Sequence, residues 1–165
     1  MIEVKIKKED LDNAITDDGW SYLFHFTDKY FEAMNKSSEA LKDFNDEQLV
    51  LIAYNYLYGQ VVNGGFIQMI SNRMAYAFEE PFSETMREWG AKKIADIVDK
   101  AKMVYENNKE QLLQEQKNWE DFSKLYDDIK EFEPLDGAFY DCMDEQTLII
   151  KRYVENNLDR FATII

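Results

Sequence analysis

The chain has 165 residues, 45% hydrophobic and 15% aromatic, and 33 acids against 19 bases give it a net charge of −14. That length suits one domain, and that aromatic content excludes a chain too polar to fold. The charge excludes nucleic acid and anionic lipid as direct partners and favours basic surfaces.

Six glycines and two prolines are too few for the many tight turns of an all-β domain. The expected fold is therefore all-α: a single compact multi-helix domain over 1–165, with a short N-terminal strand or arm. Ile2, Val4 and Ile6 alternate with polar residues, as an extended segment would. From Trp20 the apolar spacing becomes helical through Leu23, Phe24, Phe31 and Met34, predicting a first helix that ends near Asn35–Ser38. Asn45 and Gln48 form the sequence pattern of a capping box, with Asp46 and Glu47 at the positive end of the helix dipole. The helix they start runs through Leu49, Ile52, Ala53, Tyr56, Leu57 and Val61 to Asn63-Gly64-Gly65, where it breaks. Phe66 to Asn72 reads as a short helix, 73–81 as a loop, and Pro81 as the entry to another helix. Gly90 reads as a bend or close helix contact. Ile94, Ile97, Val98, Ala101, Val104 and Tyr105 follow helical spacing without a miss. One further helix is expected over 109–132, with Leu112, Trp119, Phe122, Tyr126 and Ile129 as its apolar stripe. Pro134, Asp136 and Gly137 are expected to end it, and Asp144 to cap a last helix through Leu148, Ile149, Tyr153 and Leu158.

The charge is unevenly spread. Residues 1–48 hold 12 acids and 6 bases, 49–109 hold 7 of each, 110–145 hold 12 and 3, and 146–165 hold 2 and 3. The excess thus lies in two segments flanking a neutral middle. Within 110–145, Glu115, Glu120, Asp121, Asp127, Asp128, Glu131 and Glu133 are the candidate partner-binding acids. Acids at helical spacing stand about 6 Å apart along one side, near the spacing of phosphates on a DNA strand. Glu120, Asp127 and Glu131, or Asp121 and Asp128, are candidate rows. Most acidic faces only keep a protein soluble, and that reading stands beside this one.

Little points to catalysis. His25 is the only histidine, which excludes a zinc site built on several imidazoles, and it reads as a structural residue among aromatics. Cys142 is the only cysteine, so no intrachain disulfide forms and a small buried hydrophobe is the simpler reading. The chain lacks GxGxxG, P-loop, CxxC and ExxH patterns, so no cofactor and no metal are expected. The pairs Glu79-Glu80, Glu120-Asp121 and Asp127-Asp128 read as solvated, since adjacent helical residues point about 100° apart. No stretch reaches the roughly 18 apolar residues of a membrane span and no signal-peptide run opens the chain, so a cytoplasmic location is expected.

The segment containing Asn63, Gly64, Gly65, Phe66, Gln68 and Asn72 has two readings. Two glycines between apolar helical runs cost about 1 kcal/mol each. In the structural reading they make a tight turn with Phe66 in the core and the amide side chains bonded to exposed backbone. In the functional reading, Asn63, Gln68 and Asn72 line a polar pocket for a small ligand or a metal-dependent enzyme site.

Val61-Val62-Asn63-Gly64-Gly65-Phe66-Ile67-Gln68, with Asn72 after it, resembles the V-N-G-G-F-x-Q-F-F-x-N signature of a bacterial family of all-helical domains. That family includes a neisserial DNA-mimic protein. Phe44 to Leu49, Trp89-Gly90-Ala91, Leu135-Asp136-Gly137-Ala138-Phe139-Tyr140 and Tyr153 to Asn157 resemble further family elements in the same order. The resemblance covers 20–158, leaving 1–19 as an N-terminal arm. Met69 and Ile70 replace two phenylalanines of the signature, which keeps an apolar packing role but not an aromatic contact. The resemblance implies a non-enzymatic, homodimeric protein that occupies the DNA-binding face of a transcription factor or nucleoid protein. An immunity or antitoxin-like inhibitor of a basic toxin is the alternative with the same surface physics.

Overall fold

In the computed structural model, which describes residues 3–14, 18–37 and 39–165, helices make up nearly all regular structure. Ile2 and Ser38, which entered the expectations above, lie outside the described residues. The two ends of the chain meet: β1 (Lys5–Ile6) pairs in parallel with β2 (Thr163–Ile164), Lys5 opposite Thr163. This pairing and a short helix α1 (Lys8–Asp12) sink Val4, Ile6 and Leu11 into the core. The protein is an all-α fold with a short N-terminal strand.

The long elements follow from their caps. Asp18 accepts a hydrogen bond from the Trp20 N–H at 2.9 Å and opens α2 (Gly19–Lys36). The capping box forms as the sequence implies: the Gln48 N–H donates to Asn45 Oδ1 at 2.8 Å and the Asn45 N–H to Gln48 Oε1 at 3.0 Å. It starts α3 (Asp46–Ser71). Gln48 is fully buried, and its Nε2 donates to the Phe161 carbonyl, which also accepts from the Tyr30 hydroxyl at 2.8 Å. The cap of α3 thereby fixes the end of the chain.

After α3, a 3-10 turn at Tyr76–Phe78 leads to α4 (Phe82–Glu88) and α5 (Lys92–Asn107), with Gly90 at φ +91° making the bend between them. Then follow α6 (Lys109–Leu112), α7 (Trp119–Asp128), α8 (Glu133–Asn156) and α9 (Leu158–Phe161). The long α8 packs against α2, α3 and α5, and one apolar cluster runs from Val4 to Ala162. At its centre the buried Tyr54 hydroxyl shares a 2.7 Å hydrogen bond with Thr147 of α8.

Three expectations are corrected. The helix expected over 109–132 is interrupted at 113–118, because Asn118 accepts from the Asp121 N–H at 2.9 Å and starts a new helix. Pro134 and Asp136 do not end a helix. They lie in the first turn of α8, where a missing N–H costs nothing and a carboxylate suits the dipole. Gly137 and Asp144 are consequently inside α8, the first no helix stop and the second no cap.

Candidate functional site

The diglycine step is where the geometry departs from ordinary helix. Gly64 has φ −158° and ψ 20°, and Gly65 has φ +75° and ψ −175°, a region open essentially to glycine alone. The kink leaves backbone groups of α3 for other partners, and side chains of the acidic segment take them. The Phe66 N–H donates to Asp136 Oδ1 at 2.9 Å, the Tyr126 hydroxyl to the Gly64 carbonyl at 2.6 Å, and the Tyr140 hydroxyl to the Val61 carbonyl at 2.9 Å. Phe66 is fully buried and stacks between Phe78 and Phe132, centroids 6.3 and 6.1 Å away. The kink therefore anchors α7 and the first turns of α8.

The other motif residues support the bend from outside. Gln68 and Asn72 both donate to Gln60 Oε1, at 3.3 and 2.6 Å, so their amides bond a side chain rather than the exposed backbone expected from sequence. Asn63 is exposed and Asn72 is the C-cap of α3. Among the described residues, three surface cavities of about 370 to 460 Å³ are lined by residues other than Asn63, Gln68 and Asn72. Among the described residues no group of three metal-ligating side chains converges.

Among the described residues, Asp136 is the one acid strongly perturbed. Burial raises its pKa from 3.8 to about 6, the Phe66 N–H pulls the other way, and nearby Glu133 adds to the rise. The folded protein thus holds this proton more tightly than the unfolded chain, so stability falls as pH rises from about 4 through about 6. Asp136→Asn keeps an acceptor for Phe66 without the charge. Its stability relative to the native protein should improve with pH and level off above about pH 7, read by urea unfolding from pH 5 to 8. Parallel curves for the two proteins would mean that the carboxylate is freely solvated.

The candidate acids all lie on the surface of this anchored segment. Glu115 sits in the loop before α7, Glu120 and Asp121 in its first turn, and Asp127 and Asp128 in its last. Glu131 lies in a 3-10 turn (Lys130–Phe132) and Glu133 opens α8. All seven are exposed. On α7, Glu120 lies below Asp127 and Asp121 below Asp128, each pair two turns or about 10 Å apart. Glu131 does not continue the first row, since α7 ends at Asp128 and Ile129 leaves helical geometry at φ −120°, ψ 76°. Two acids are partly offset: Asp127 lies 3.8 Å from Lys130 Nζ and Asp128 4.0 Å from Lys124 Nζ. Asp121 accepts from the Lys117 N–H at 3.1 Å. Among the described residues, no cation lies within 4 Å of the other four.

Three residues that matter here carried no functional expectation. Asp136, Tyr126 and Tyr140 tie the acidic segment to the kink, and the four-residue step from Asp136 to Tyr140, which sets both on one helix face, was the available signal. Trp119, expected in the apolar stripe, is instead 75% exposed beside Glu120.

Residues 42–157 match the sequence profile of the DMP19-like protein family. The DNA mimic protein DMP19 of Neisseria meningitidis serogroup B is 30% identical over 144 residues, which cover 86% of this chain and 87% of that protein. The family match spans the kink and the acidic segment, and the chain belongs to the DMP19-like protein family.

Proposed function

We propose that this chain is a non-enzymatic, cytoplasmic DNA mimic that presents the carboxylates of 110–145 to the nucleic-acid-binding face of a basic protein. The observation that carries this reading is the anchoring of an exposed acidic segment to the diglycine kink by three hydrogen bonds. A fixed array of charges costs less to order on binding than a flexible one, so it suits recognition as well as solubility. The name of the neisserial relative supports the same reading. The partner is a transcription factor or nucleoid protein, and the chain acts on transcription as a homodimer.

Affinity capture from the source bacterium at low salt, followed by displacement with duplex DNA, tests this. The expected result is a basic, DNA-binding protein that duplex DNA and rising salt both release. A partner of neutral or acidic charge, indifferent to salt, overturns it. So does a complex that still binds DNA with the partner's full affinity.

A further inference from the structure

A second surface lies away from the acidic segment. A groove of about 400 Å³ opens between the end of α2, the first turns of α3 and the connection leading to α4. Its floor is apolar and includes the buried Val50, Ala53 and Phe82. Leu41 and Tyr76 line it as well, 46% and 45% exposed, so each keeps much of a large apolar side chain in water. The lining holds three carboxylates, Asp46, Glu79 and Glu80, and no lysine or arginine. Lys102 stands 3.7 Å from Glu80, and among the described residues no cation comes within 4 Å of Asp46 or Glu79.

The charges choose among occupants. A fatty acid or a nucleotide would bring an anion onto three carboxylates. A second copy, with 33 acids to 19 bases, is a poor source of the cations this groove calls for, whichever other face a homodimer uses. We propose that the groove docks a partner polypeptide segment whose bulky apolar side chains fill the floor while flanking lysines or arginines pair with Asp46, Glu79 and Glu80. Apolar floor and acidic rim would then act together, the first setting affinity and the second orientation. None of the groove's residues belongs to 110–145, so this docking stands or falls separately from the mimicry.

An array of fluorescent peptides of about twelve residues, with two leucines at varied spacing between paired lysines, tests this by anisotropy at roughly 150 mM salt. The expected result is binding by at least one spacing, weakened about tenfold or more when its leucines become serine or its lysines become glutamate. The double variant Leu41→Ser/Tyr76→Ser should weaken it equally, and circular dichroism should be unchanged because both side chains lie outside the core. Reversing Glu120, Asp127 and Glu131 to lysine should change it by less than about twofold. Absence of binding across the array overturns the proposal, as does equal binding of leucine and serine peptides or indifference to the double variant. Sedimentation in which the double variant turns a dimer into a monomer would assign the groove to a second copy instead.

Discussion

Gly65→Ala is expected to cost the protein about 4 kcal/mol, the largest single-residue loss at the kink. A side chain at φ +75°, ψ −175° costs about 1 to 3 kcal/mol by itself. The new methyl would also overlap the Asp136 carboxylate, and displacing it leaves the buried Phe66 N–H without an acceptor, at about 1 to 3 kcal/mol more. For a domain of this size that loss lowers the Tm by about 10 °C, read by thermal unfolding. Gly64→Ala is the control. Its φ of −158° lies outside the left-handed region, but a new methyl would press on Gln68, whose amide end can turn away while its Cβ, 2.9 Å off, moves only with the helix turn. The expected cost there is about 2 kcal/mol, since neither left-handed strain nor the Asp136 contact is involved. Equal losses at the two positions would mean that the Asp136 contact does not govern the kink.

The second large effect concerns binding. Glu120→Lys, Asp127→Lys and Glu131→Lys together move the net charge from −14 to −8 on exposed positions of the anchored segment. Affinity for the captured basic partner is expected to fall on the order of 100-fold at low salt, with a shallower salt dependence, measured by calorimetry over a salt series. Reversing Glu84, Glu88 and Glu106, exposed acids of the neutral middle, makes the same change in net charge. Its expected cost is only a few-fold, since those charges would act at a distance through screening solvent. Similar losses from both sets would show that net charge alone drives binding. Folding should survive either set, because no core side chain is touched.

The two parts of the molecule that looked separate in the sequence turn out to depend on each other. The neutral middle holds the diglycine motif and 110–145 holds the charge, and nothing in their spacing connects them. In the fold, Asp136, Tyr126 and Tyr140 reach across 62 to 79 residues to the backbone of the motif. The glycines are thus explained by what they release: unpaired backbone groups that the acid-bearing elements bond. The small-ligand reading of Asn63, Gln68 and Asn72 has no such support, because Gln68 and Asn72 are engaged with Gln60.

What the sequence alone determined was local. Scarce turns and helical periodicity implied an all-α fold, Asn45 with Gln48 implied the start of α3, and paired glycines implied its break. Each of these depends on residues within a few positions of one another, where capping and backbone freedom act. Tertiary structure decided the rest. Pro134 can stop a helix or start one, and its local sequence suits both. The buried Phe132, packed on Phe66, places it at a start. Helical phase alone put Trp119 with the core, yet a stripe is buried only where another element covers it, and Trp119 stays exposed. Hydrogen bonds between residues some 70 positions apart leave no periodic trace in a chain, so only the folded molecule shows that the acidic segment is held in place by the kink.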